Sequence, residues 1–335
     1  MSPPPPLLVS ELSAFQRIRR VPGVVAGLVR GDDSRSWGFG TVAMGSSRAP
    51  DAQTVFEVGS ITKVFTATLL ARMAEQGLVA LDDPIRPLLE PHLKLKDWRG
   101  RDVTLLHLAT HTSTLPRASR RMLDHARRNL ANPYRDYDLG ELHADLAEFV
   151  PGPEVGHTFE YSNLGFGLLG HLLALIAGEP FEQVLLRRVC QPLELSDTVV
   201  TLDADRRARL AQGHFFGRPV GIWDMPVLAG AGALRSTAAD MMHFIACSMG
   251  VRRSALDPTL ATTQAPRVRA SDTLSIGLAW HRTPTAAGDT VWHRGETAGM
   301  RSFIGFVRER ALGLVLMANA SAGVDELGLE LLPRL

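Results

Sequence analysis

A serine hydroxyl attacks a carbonyl only when a base stands close enough to take its proton. Ser60-Ile61-Thr62-Lys63 supplies both groups: positions i and i+3 at a helix start share a face, so the Lys63 amine can approach the Ser60 oxygen. The unpaired N–H groups of such a helix start also favour an oxyanion there. Alone, the same four residues describe an ordinary helix with Ser60 as its cap and Lys63 in solvent, so the pattern needs company. Tyr161-Ser162-Asn163 provides it, followed by an apolar helical run from Leu164 to Ala177. A phenol beside a cationic lysine has its anionic form favoured, which predicts Tyr161 as the carrier of the serine proton to a leaving group. Asn163 offers an amide that can orient both the lysine and a substrate carbonyl, the alternative being a helix cap beside a packed aromatic. The third element is His293-Arg294-Gly295 on a predicted strand, with Glu296 next. Glycine in a strand permits close approach to the backbone, and an N–H just beyond it could complete an oxyanion hole.

Other chemistry-bearing patterns are weaker. Gly165-Phe166-Gly167-Leu168-Leu169-Gly170 matches a dinucleotide fingerprint in letters, but it follows the Tyr-Ser-Asn turn rather than a strand. Close helix packing explains these glycines better, and no cofactor is expected. His107 and His111 are spaced to share a helix face, yet no glutamate partner or third ligand accompanies them, so a core-lining pair is expected and no metal. No Gly-x-Ser-x-Gly elbow occurs. Cys190 and Cys247 lack any paired spacing and are expected to be buried thiols.

Thirty-six basic and thirty-five acidic side chains leave a net charge of +1, too little to hold a polyanion, so nucleic acid is not an expected partner. Arg117, Arg120, Arg121, Arg127 and Arg128 form a local basic cluster, expected to be a solvated face, with an anion-docking patch as the alternative. The first residues, Met1-Ser2 and four prolines, lack a basic region followed by an apolar one, and no later segment has the apolar length of a membrane span. A cytoplasmic protein without membrane contact is the expectation.

The elements that must position these groups follow from periodicity. Glu11 to Arg19 is a predicted helix, Gly23 to Arg30 a buried strand, and Ser36 to Met44 its hairpin partner. Thr62 to Gln76 repeats apolar residues at helical spacing, with Gly77 as the stop, and should be the central helix. Residues from about 88 to 265 read mainly as helices. Ser275–His281, Thr290–Arg294, Ser302–Val307 and Leu312–Asn319 read as an antiparallel meander completing the first sheet, and Val324–Leu332 as a closing helix. The expected fold is α/β in the α+β sense: one catalytic domain over residues 1–335, with a sheet part near 10–87 and 266–335 and a helical part near 88–265.

Taken together, the three motifs resemble those of the serine β-lactamase-related family, its class C branch in particular, which includes D,D-peptidases, esterases and biosynthetic transacylases. Phe56-Glu57-Val58-Gly59-Ser60-Ile61-Thr62-Lys63 is similar to the family's nucleophile segment. Leu105 to Pro116 is similar to its helix-and-turn signature, and Gly230 to Thr237 to another shared segment. The resemblance implies Ser60 as nucleophile, Lys63 as base, Tyr161 as proton shuttle, and the N–H groups of Ser60 and Glu296 as the oxyanion hole. It further implies that Asn163, His293, Arg294, Gly295 and Glu296 meet the substrate. Arg294 and Glu296 depart from the small residues usual there and place two charges at the lip of the site, and Thr114 stands where glycine is usual. The function expected is a serine hydrolase or acyltransferase acting on a small ester or amide, with water, an alcohol or an amine as acceptor and natural-product assembly as one setting. A β-lactamase or D,D-carboxypeptidase is the alternative, and a binding or sensor protein on the same fold is the alternative of another class.

Overall fold

A strand buried on both faces shows a continuous apolar run instead of alternation. Gly23–Arg30 (β1) does so, buried throughout except at Arg30. The computed structural model describes residues 3–91 and 93–335, so Met1 and Ser2 of the leader lie outside the described residues. β2 is Asp33–Gly40, earlier than the predicted 36–44, because Arg30 pairs with Asp33 and only Gly31-Asp32 make the turn. The first helix, Pro6–Arg19, likewise starts before its predicted Glu11. Proline is well tolerated at a first helical position, where the N–H would be unpaired anyway.

Short strands follow: β3 (Val55–Glu57), β4 (Gly213–Phe215), β5 (Arg218–Val220) and β6 (Arg235–Thr237), with β3 paired to β6 and β4 to β5. β7 (Val268–Arg269), β8 (Ser275–Ile276), β9 (His281–Thr285), β10 (Gly288–Glu296), β11 (Arg301–Val307) and β12 (Leu312–Ala318) complete the chain's strands. An eight-stranded antiparallel sheet results, in the order β2-β1-β12-β11-β10-β9-β8-β7. The meander therefore joins the N-terminal hairpin through β1 and β12. The single strand expected over 275–281 is broken in two. A Cβ at Gly277 would lie 2.4 Å from the Thr263 carbonyl oxygen, Leu278 N–H donates to that oxygen at 2.8 Å, and Ala279 turns at φ +64 to donate to the Ala109 carbonyl.

Alternation sorts the sheet's side chains into two cores. Val25, Val29, Val315 and Met317 face the larger core, with Phe65 and Phe244 of the covering helices. Val24, Ala26, Leu314 and Leu316 face a smaller one, closed by Leu8 and Leu12 of the first helix and Leu331 of the last, Val324–Leu331. Thr62–Glu75 runs through the larger core, nearly all of it buried, and ends with Gly77 at φ +70. Between residues 88 and 265 the longer helices are Arg120–Arg128, Leu139–Glu148, Asn163–Ala177, Ala238–Met249 and Asp257–Gln264. Ala238–Met249 packs against β1, β11 and β12 although it lies within the segment expected to be the helical part. Among the described residues no single helix is long and apolar enough to cross a membrane.

Candidate active site

Ser60 lies in a 3₁₀ turn, Gly59–Ile61, immediately before the Thr62–Glu75 helix. It does not cap that helix, whose N-cap position is Ile61. Two glycines allow the turn to dock on the end of β10. A Cβ at Gly59, which sits at φ +51, would fall 2.6 Å from the Glu296 nitrogen, and one at Gly295 would fall 1.8 Å from the Val58 carbonyl oxygen. Ser302 Oγ donates to the same Val58 oxygen at 2.9 Å. This backbone-to-backbone contact brings Ser60 beside the Glu296 N–H.

Lys63, one helical turn on, is fully buried. Its Nζ lies 3.0 Å from Ser60 Oγ, 2.8 Å from Asn163 Oδ1 and 2.7 Å from the Ala231 carbonyl oxygen. An ammonium would donate to all three. A neutral amine keeps two donors for the amide and the carbonyl and turns its lone pair to the serine hydroxyl. Burial, with Arg117 adding to it, pushes the Lys63 pKa well below the ordinary lysine value of 10.5, which favours the neutral amine.

Tyr161 lies with its ring centroid 4.9 Å from Lys63 Nζ, and its phenol is close enough to Ser60 to feel its hydroxyl. The expectation of a favoured phenolate is corrected here. Burial outweighs the Ser60 hydroxyl and the Arg117 and Arg294 charges, and the phenol is pushed up to about 12. Ser162 is the helix cap: its Oγ accepts from Gly165 N–H at 2.8 Å and donates to the Pro116 carbonyl. Asn163 is thereby released to turn its amide oxygen to Lys63.

The Ala231 carbonyl reaches the amine because two backbones touch. A Cβ at Gly170 would lie 2.8 Å from Gly230 Cα, and one at Gly167 would lie 2.3 Å from Leu228 Cδ2. The glycines of the dinucleotide-like run are thus spent on helix packing, as expected.

On the opposite wall His293 is fully buried, and its Nδ1 faces the Arg294 carbonyl oxygen at 2.7 Å. A carbonyl can only accept, so Nδ1 carries the proton and the unpaired Nε2 is an acceptor. His281 meets His293 edge-on at 5.0 Å and stacks on Trp292 at 4.7 Å. Burial pushes His281 down to about 4 and His293 well below its usual value, so both rings are neutral at pH 7. The two charges expected at the lip are present but paired. Arg294 reaches Asp325 on the last helix, and Glu296 reaches Arg301, its cross-strand neighbour, at 2.6 Å.

His107 and His111 do not share a helix face. The helix Leu105–Ala109 ends first, and His111 sits at φ +59. His107 caps that helix with Thr104, while the buried His111 accepts from Ser162 N–H through Nδ1 at 3.0 Å and lies against the Tyr161 ring. Thr114 adopts φ +61, a conformation that favours glycine, and its Oγ1 accepts from Gly152 N–H. Cys190 and Cys247 are buried and free. Of the basic cluster, Arg121 is held by Glu141, Asp145 and Glu148.

Together these walls enclose a cleft of about 480 Å³ containing Ser60, Tyr161, Asn163, His293, Arg294, Gly295 and Glu296. Sequence patterns gave no sign that Tyr134, Trp223 and His281 line the same cleft. Tyr134 lies near Asn163, and Trp223 packs edge-on against Tyr134 at 5.1 Å. Both stand in irregular segments, where no periodicity marks a side chain's direction.

A serine held against a buried amine, in a cleft between an antiparallel sheet and helices, is an arrangement in which a hydroxyl has a base within hydrogen-bond reach. The Beta-lactamase family model matches residues 9–331, and the chain belongs to that family. It is 30% identical over 207 residues to the D-alanyl-D-alanine-carboxypeptidase/endopeptidase AmpH of Escherichia coli (strain K12), covering 62% of this chain and 52% of that protein. The chain thus spans about half the length of AmpH. A Beta-lactamase of the same organism is 26% identical, with 85% of this chain and 80% of the relative covered. Among solved structures, a Beta-Lactamase/D-Alanine Carboxypeptidase from Pseudomonas syringae superposes with a TM-score of 0.86 at 21% identity, covering 98% of this chain and 97% of that one. A class C beta lactamase from Rhodobacter sphaeroides gives 0.82 at 23% identity, with 94% of each chain covered. These two likenesses show the fold.

Proposed function

We propose that the protein is an esterase or transacylase for a small ester or amide, with Ser60 as nucleophile, Lys63 as its base and Tyr161 as the donor to the leaving group. The observation that carries this is the buried Lys63 amine 3.0 Å from Ser60 Oγ. In the first half-reaction the neutral amine takes the Ser60 proton as Oγ bonds to the carbonyl carbon, and the N–H groups of Ser60 and Glu296 receive the oxyanion. Tyr161, protonated, then donates to the departing oxygen or nitrogen as its bond to carbon breaks. In the second half the Tyr161 phenolate takes a proton from water, an alcohol or an amine as that acceptor bonds to the acyl carbon, and the Lys63 ammonium returns its proton to Ser60 Oγ as the ester bond breaks. Asn163, His293, Arg294, Gly295 and Glu296 meet the substrate in this proposal. The cleft's aromatic wall and modest volume support a small acyl donor. A biosynthetic acceptor and a cytoplasmic location belong to the same proposal, and cell fractionation tests the latter.

A second reading, a β-lactamase or D,D-carboxypeptidase, is favoured by the likeness to AmpH and to the Escherichia coli Beta-lactamase. Intact-mass measurement after exposure to p-nitrophenyl esters, a β-lactam and a D-Ala-D-Ala peptide, each with and without an amine, separates the two. An ester-derived adduct that Ser60→Ala lacks, with esters turned over faster than the others, is the expected result. Faster turnover of the β-lactam or peptide selects the second reading. No adduct and no turnover with any compound would leave a binding protein.

The pH dependence follows from the same amine. Lys63 must be neutral to accept a proton, so kcat/KM rises as pH rises through its depressed pKa and then stays level until the Tyr161 phenol ionises near 12. A pH–rate profile whose acidic limb lies near 10.5, the ordinary lysine value, contradicts this assignment.

A further inference from the structure

The arginines around the cleft are not equivalent. Arg294 is paired with Asp325 and Arg301 with Glu296. Arg121, in the same basic run as Arg117, is held by three carboxylates. Arg117 is exposed, lines the cleft, and has no acidic partner among the described residues. Its guanidinium carbon lies 5.3 Å from the centroid of the Tyr161 ring. Its backbone carbonyl accepts from Asn163 N–H at 3.0 Å, which ties its position to the helix that carries Asn163. A guanidinium resting on an aromatic face keeps its N–H edge free, and that edge matches a carboxylate with two parallel hydrogen bonds. The facing wall offers no competing cation: His281 and His293 are neutral, and both of its arginines are neutralised.

We propose that Arg117 anchors a carboxylate of the substrate, so that the cleft selects esters or amides carrying an acid group within reach of Tyr161. This rests on the acyl-enzyme reading of the cleft. The acid can belong to the acyl part or to the leaving part, and Arg117 recognises the same chemistry in either. A bound carboxylate also offsets the Arg117 charge that depresses Lys63, so an acid-bearing substrate moves the acidic limb of kcat upward relative to its neutral counterpart.

The test compares wild type, Arg117→Gln and Arg117→Lys on matched esters. One pair is p-nitrophenyl hemiglutarate against p-nitrophenyl butyrate, which puts the acid on the acyl side. The other is the butyryl ester of 4-hydroxybenzoate against that of 4-hydroxybenzamide, which puts it on the leaving group. In one pair the acid-to-neutral ratio of kcat/KM is expected to fall about 10- to 100-fold in Arg117→Gln, the size of a lost charged hydrogen bond, and to recover partly in Arg117→Lys. The pair that responds identifies the side. Ratios unchanged in both pairs overturn the proposal. A binding measurement keeps this separate from the nucleophile assignment: in Ser60→Ala protein, titration with monomethyl glutarate or 4-hydroxybenzoate is followed by tryptophan fluorescence, since Trp223 and Trp292 line the cleft. For the responding acid, Kd should rise by a similar factor in Ser60→Ala/Arg117→Gln. Equal Kd values with and without Arg117 overturn the proposal whether or not the wild type turns over esters.

Discussion

Lys63→Ala should lower kcat/KM for activated esters by about 10³-fold, within the range ascribed to a positioned general base, while thermal stability changes little. The two effects separate because the amine is costly to bury. Removing it loses three hydrogen bonds but also relieves the desolvation that depresses its pKa. Water entering from the cleft can satisfy Asn163 Oδ1 and the Ala231 carbonyl, so the net change in stability should stay within about 2 kcal/mol. Tyr161→Phe keeps the ring and its contact with His111 and removes only the donor, so it should slow acylation by about 10²-fold with a smaller effect on melting. Single-turnover kinetics on several esters, beside denaturation curves, check both. Near-normal kcat/KM in either variant would remove that residue from the chemistry.

Gly295→Ala should damage both the fold and the activity. The added methyl would lie 1.8 Å from the Val58 carbonyl oxygen and 2.4 Å from Ser302 Oγ. The first of these is backbone and cannot swing aside. Either β10 or the Ser60 turn must shift, at the upper end of overpacking costs, about 3 kcal/mol. A displacement near 1 Å between Ser60 and the Glu296 N–H should lower kcat/KM by about 10²-fold as well. Urea denaturation and ester kinetics on the same preparation test this. Wild-type values in both would mean that this contact does not hold the nucleophile in place.

Much of this is legible in the amino-acid sequence. The Thr62–Glu75 helix and the C-terminal meander have strong periodicity, and the elements carrying Ser60, Lys63, Tyr161, Asn163 and His293 do meet at one cleft. What escaped had physical causes. Strands of three residues such as β3 and β6 are too short to show a period. The break at Gly277 is forced by the Thr263 carbonyl, which comes from a distant part of the chain. The protonation of Tyr161 was misjudged because neighbouring charges can be guessed from residue types, whereas burial, the larger influence, depends on packing. The pairing of Arg294 is not legible locally because Asp325, its partner, lies thirty-one positions further along the chain.

The crossing of Gly170 and Gly230 extends its influence past the helices it joins. Neither residue borders the cleft, yet their closeness sets how near the Ala231 oxygen comes to the amine. A bulkier residue at either position would loosen that grip and alter how readily the amine holds its proton. If the proposed reaction is right, the acidity range in which it runs would depend in part on two side-chain-free positions that never touch a reactant.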